Sequence, residues 1–180
     1  VAAIGVASVL AGCGGDEAAS GGSKTIDAQA AIVRGWEAYR DRDFAIALVE
    51  FERAVNLDDT QADAHNGLGW TRLHRLEGAP SPDVLALATE SFAAALRVDG
   101  RHADAWVGMG QVLYMARDDA TVLLDAANAL ASAREADEAT LYRHDYTSKA
   151  QIRALEAWCY YYAGEPVAAA SVARAAAELN

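Results

Sequence analysis

From Ile26 onward the apolar residues recur at helical spacing, and the pattern repeats itself. Sliding the chain by 41 positions brings Ala47 onto Ala88, Phe51 onto Phe92, Ala54 onto Ala95 and Asp58 onto Asp99. Ala62, Asp63 and Ala64 then fall on Ala103, Asp104 and Ala105, and Gly67 and Gly69 on Gly108 and Gly110. Nine identities across positions 47–69 exceed the two or three, roughly, that an Ala-rich chain produces by chance. Helix ends carry local signals. Thr60-Gln61-Ala62-Asp63 has the order of a capping box, Ser81-Pro82 offers an N-cap followed by Pro at the first helical position, and Gly100 suits a helix C-terminus. The pattern predicts an all-α chain of helix pairs.

The order of these residues resembles the tetratricopeptide repeat, a helix–turn–helix unit of about 34 residues. The first copy has Gly35 and Tyr39 on its first helix and Ala47, Phe51, Ala54 and Leu57 on its second. The second offers Leu68-Gly69, then Ala88, Phe92, Ala95 and Val98, with Gly78 to Val84 as a seven-residue insertion in its turn. The third has Trp106, Met109-Gly110 and Tyr114, then Ala126, Ala129 and Leu130. A degenerate fourth has Ala157 in the Gly place, Tyr160-Tyr161, a Gly164-Glu165-Pro166 turn, and Ala169, Ala173, Ala176 and Leu179. About 13 extra residues near Arg134 to Tyr146 separate copies three and four. The closing Pro of the repeat is replaced by Asp59, Gly100 and Arg134. The resemblance implies an α-solenoid of three to four stacked antiparallel pairs over residues 26–180, since one hairpin cannot bury its apolar face alone. The competing expectation is a generic antiparallel helical bundle.

The first residues differ. Val1 to Gly12 carries no charge, Ala2 to Leu10 is apolar, and Leu10-Ala11-Gly12-Cys13 follows. This resembles the end of a bacterial lipoprotein signal peptide, with small residues at the processing site. The basic n-region is missing and the first residue is Val, as in a sequence that begins late or a non-standard start codon written as Val. The resemblance implies that residues 1–12 are removed and that the Cys13 thiol carries a diacylglyceryl group. Residues 13–25 are then a flexible lipid-anchored tether, because Gly14 to Ser23 has no apolar side chain larger than Ala. Two acyl chains anchor stably without a spanning helix, and no apolar run here reaches spanning length. The expected location is the bacterial envelope, either the outer membrane facing the periplasm or the outer face of the cytoplasmic membrane.

Composition narrows the chemistry. The chain has 180 residues, 43 of them Ala and 3 Pro, which favours helix over a β-sandwich. Its net charge is −11, with no basic run, so a nucleic-acid partner is not expected. Cys13 and Cys159 are too few for a disulfide scaffold. The histidines His65, His74, His102 and His144 lack metal-ligand spacing, and His144-Asp145 reads as an exposed polar pair. Cys159, within Trp158-Cys159-Tyr160, reads as a small core residue with no base to activate it. Gly67-Leu68-Gly69 and Gly108-Met109-Gly110 lack the third Gly of a nucleotide loop and read as packing positions. No catalytic residue, metal or cofactor is expected, and the chain does not read as an enzyme.

In tetratricopeptide arrays the first helices line a concave groove that holds a partner's peptide or helix. The resemblance therefore implies partner-binding places at Ile32, Trp36, Tyr39 and Arg40; at Asn66, Trp70, Leu73 and His74; at Val107, Gln111, Tyr114 and Met115; and at Ala154, Trp158, Tyr161 and Tyr162. Three of the four Trp share one place in the unit, and the aromatic residues along it form one band, either exposed groove or inter-repeat core. The carboxylate clamp of chaperone-binding repeats is not expected, because Ile32 and Asp104 stand where it needs Lys. An apolar or amphipathic protein segment fits better. The function implied is a lipid-anchored adaptor or scaffold in envelope assembly, pilus biogenesis, secretion or cell-wall enzyme control. The alternative is a small-ligand-binding or enzyme-accessory lipoprotein.

Overall fold

A computed structural model describes residues 16–75, 81–136 and 144–179, with side chains from residue 22 onward. Cys13 and the residues before it, with the lipidation and cleavage expected there, lie outside the described residues. The described residues form eight helices: α1 (Asp16–Arg40), α2 (Phe44–Leu57), α3 (Ala62–His74), α4 (Pro82–Val98), α5 (Ala103–Ala116), α6 (Ala120–Glu135), α7 (Lys149–Tyr162) and α8 (Pro166–Ala177). They pair as antiparallel hairpins, α1 with α2, α3 with α4, α5 with α6 and α7 with α8. The hairpins stack into a tetratricopeptide-like array, α3 against both α1 and α5, and α7 on α6. Helix α1 begins at Asp16, inside the segment read as the tether. Residues 22–25 are exposed on it, and among the residues with described side chains the first buried one is Ala28.

Side-chain caps start several of these helices by accepting otherwise unpaired N–H groups. Asp43 accepts from Ile46 N, Ser81 from Val84 N, Asp119 from Val122 N and Ser148 from Gln151 N. The Gly164 turn into α8 takes a φ of +83°, where a Cβ is strained. Two expectations about helix ends change. Gln61, not Thr60, is the N-cap of α3, and it makes no side-chain cap. Thr60 instead gives its N–H and hydroxyl to Asp58, and Asp63 takes the indole N–H of Trp36, so no capping box forms. Nor does the seven-residue insertion lie wholly in a turn. Pro82 to Val84 forms the first turn of α4, because Ser81 caps there and Pro82 is prearranged for the first helical position.

Stacking rests on one repeated contact. The Phe51 ring lies between Gly35 on α1 and Gly67 on α3, and the Phe92 ring between Gly69 on α3 and Gly108 on α5. Leu130 takes the same place against Gly110. A Cβ at any of these glycines would fall within 3.0 Å of the ring or side chain opposite. Ala47, Ala54, Ala88 and Ala95 flank the rings and are fully buried, which lets the paired helices approach. Each buried ring contributes about 1.5–3 kcal/mol of transfer free energy. The fourth pair is joined differently. Arg134, at a closing-Pro place, donates to the buried Glu156 carboxylate of α7 at 3.1 Å.

These contacts set an expected outcome. Gly67→Ala should cost about 1–3 kcal/mol by chemical denaturation, because the Phe51 ring is held on both sides and cannot yield. Gly22→Ala, with nothing within 4 Å of the added methyl, should be neutral or slightly stabilising.

Candidate functional site

Helices α1, α3 and α5 carry the groove places expected in the first three pairs, and those of the fourth lie on α7. The concave face of the first three is covered by the chain itself. The connection from α6 to α7 spans 136–148, and within it His144 to Tyr146 lie across side chains of α1, α3 and α5. The side chain of His144 is 4% exposed, so the expectation of an exposed polar pair is overturned for His144, while Asp145 is exposed as expected. Its ring stacks on Trp36, with centroids 5.0 Å apart and an angle of 13°, and meets Trp70 at 4.8 Å and Tyr39 at 5.3 Å.

Polar contacts fix this strap to three helices. His144 Nε2 lies 2.8 Å from Asp104 Oδ2 on α5, and Nδ1 lies 2.7 Å from Asp145 Oδ2. Asp104 also accepts from Asn66 Nδ2 at 2.7 Å. Asp145 accepts from the Tyr39 hydroxyl on α1 at 2.6 Å, and its other oxygen lies 2.9 Å from His74 Nε2 on α3. Tyr146 donates to Gln111 on α5 at 2.7 Å. With a carboxylate at each ring nitrogen, His144 is held as the imidazolium. Burial by itself would lower its pKa, but the hydrogen bonds and charges of Asp104 and Asp145 outweigh that and raise it to about 9. Burial works against the Asp145 carboxylate too, yet hydrogen bonds from His144, His74 and Tyr39 hold it far below the usual carboxylate range. Burial first, then the charge of Asp145, pushes the Tyr39 hydroxyl well above its ordinary value.

The expected groove residues therefore divide. Ile32, Trp36, Tyr39, Asn66, Trp70, Leu73 and Val107 are buried and form a floor, not an open surface. Trp70 is only 2% exposed. Beside the strap a cavity of about 350 Å3 remains, lined by Trp70, Leu73, His74, Gln111, Met115, Asp145 and Tyr146. Arg40 is exposed and lines a smaller cavity with Ile32, Trp36 and Asp63. The single aromatic band expected from the sequence is split in two, because the strap comes between. Trp36, Tyr39 and Trp70 gather around His144, while Trp158, Tyr161 and Tyr162 stand together on α7. The half-buried Tyr114 reaches the second group at a 6.4 Å centroid distance to Tyr162. Cys159 is buried behind them, and burial with the nearby Glu156 charge pushes its thiol up to about 12, as for a core residue.

The second aromatic group is open. Trp158 is 51% exposed, Tyr161 59% and Tyr162 54%. Trp158 and Tyr161 border a hollow of about 600 Å3 between α7 and α8, whose other walls are Ala154, Ala157, Pro166 and four alanines of α8, among them Ala173. The register explains the hollow. Phe51, Phe92 and Leu130 are fully buried at this place in the earlier pairs, and the fourth pair has the exposed Ala173. The repeat pattern puts Ala173 where Phe51 and Phe92 stand, and the loss of the ring there is legible in the sequence. The strap residues Asp145 and Tyr146 were not expected at the site at all, although their Asp-aromatic chemistry was visible.

The His144 ion pair sets a pH dependence with a definite sign. The pKa of the folded state, about 9, lies above the ordinary 6.5. Its stabilisation is full below about 6.5 and is lost as pH rises through about 9. The groups facing it are Asp104 from α5 and Asp145, which is itself held by Tyr39 and His74. Urea denaturation between about pH 6 and about pH 10 should show unfolding free energy falling across this window. His144→Gln should flatten that fall.

Among proteins of known structure, the chain is similar to the crystal structure of YrrB, a TPR protein with an unusual peptide-binding site. The likeness covers 91% of each chain, with 18% identity and a TM-score of 0.43. No protein-family model matches the chain, and no curated protein matches it.

Proposed function

We propose that the chain is a protein-interaction scaffold tethered by lipid in the bacterial envelope, with its docking surface on the open α7–α8 end. One observation carries the docking surface: a ring-sized place in the repeat, filled in every earlier pair, is empty at Ala173 and rimmed by exposed Trp158 and Tyr161. The occupant that fits is a partner helix offering a large apolar side chain, as Phe51 does within the array. Monomers seldom leave a contiguous apolar patch uncovered, and Trp and Tyr are favoured where binding energy concentrates. The reading assigns no catalytic group. The tether rests on Leu10-Ala11-Gly12-Cys13 and the Gly- and Ser-rich run after it. Among the described residues no helix is long and apolar enough to cross a membrane, so attachment in this reading falls to the acylated Cys13.

Two measurements test this reading. A partner retained from solubilised envelope by the full chain should bind Trp158→Ala about 30-fold more weakly, the equivalent of about 2 kcal/mol, with little change in unfolding free energy. Ala173→Phe, which fills the hollow from within, should abolish capture while keeping the fold. Unchanged binding by both variants sinks the docking surface. Intact mass of membrane-extracted protein should show an acylated chain beginning at Cys13, and Cys13→Ser should release the domain or leave an uncut precursor. An unmodified Cys13 still preceded by residues 1–12 overturns the anchor.

A further inference from the structure

The strap enters the concave face as a ligand would. Its three side chains engage α1, α3 and α5 between them: His144 the Asp104 carboxylate and the Trp36 ring, Asp145 the Tyr39 hydroxyl and His74, Tyr146 the Gln111 amide. Topology does not demand this length of chain. The other connections between pairs, 58–61 and 99–102, are four residues each, whereas 136–148 is 13. The longer connection carries the residues that occupy the face.

The fit is also incomplete. Among the described residues, the Trp70 indole N–H and Asn66 Oδ1 are buried in the floor with no hydrogen-bond partner. Trp70 borders the cavity of about 350 Å3 that the strap leaves beside it. Buried polar groups are nearly always paired, so an unmet donor on a residue that lines free space leaves room for a better occupant.

We propose that the concave face is a peptide site for an extended segment carrying a basic residue, then an acidic one, then an aromatic. His144-Asp145-Tyr146 holds the site in cis, and a partner segment of the same chemistry binds by displacing it. Asp104 selects the cation, Tyr39 with His74 selects the carboxylate, and Gln111 takes the aromatic hydroxyl. This face is separate from the α7–α8 hollow, and the inference does not rest on that reading. A tethered segment meets its own site at an effective concentration in the millimolar range. The same contacts offered in trans are therefore outcompeted until the tethered copy is withdrawn.

The test uses the full chain and a capped peptide of residues 144–149, His-Asp-Tyr-Thr-Ser-Lys. Calorimetric titration compares the wild-type chain with His144→Ala/Asp145→Ala, whose helices keep every groove residue. The double variant should retain the helical circular dichroism signal and bind the peptide at least tenfold more tightly than wild type. Replacing the peptide's Asp by Ala should remove that gain, and so should adding Tyr39→Phe, which keeps the ring and deletes its donor. A folded double variant with wild-type peptide affinity overturns the proposal. So does a double variant that loses its helical signal, since the strap is then part of the core. Neither outcome touches the Trp158→Ala measurement, so the two readings fail separately.

Discussion

A phenyl ring held between two glycines organises this molecule. Phe51 reaches from the second helix of its hairpin into the seam between α1 and α3, and Phe92 does the same between α3 and α5. Without a Cβ on either side, the helix backbones close onto the ring faces. Dispersion contacts then replace water on both sides at once. The ring belongs to one hairpin and half of its socket to the next, so no hairpin completes its own core. The array continues only while a large residue recurs at that place. Leu130 continues it, and Ala173 does not. The hollow at the α7–α8 end is thus the same constraint seen where its filler is missing.

The concave side obeys a different rule. Asp104 is buried among aromatic residues, and an isolated carboxylate there would be very costly. His144 answers it with charge, while Asn66 supplies a further hydrogen bond. The cation is shared with Asp145, which is tied in turn to Tyr39 and His74. The result links α1, α3 and α5 through a segment that lies far from all of them in sequence. Stacking of the imidazolium on Trp36 adds a cation–π contact in a place screened from solvent. Removing any member would leave another charge or donor unmet, so the strap binds as a unit.

Gly and Phe repeating at a fixed offset, with Ala between, determine the helices and their stacking. Each of those residues acts through size, and size is a property of the residue alone. Pro82 and Ser81 likewise marked a helix start, since their effects are local. The capping box failed because the neighbouring Asp58 took the Thr60 hydroxyl, and Trp36, brought near by folding, took the Asp63 carboxylate. Trp36 and Trp158 occupy equivalent places in the repeat, yet one lies under His144 and the other in solvent. Nothing in the spacing separates them. The difference arises because a segment between the third and fourth pairs returns across the first three, and a contact made over such a distance has no period to read. Packing positions were therefore legible in the sequence. Which aromatic residues face water, and which histidine is an ion inside the groove, only the tertiary structure decided, because burial and charge pairing depend on what else arrives at the same point in space.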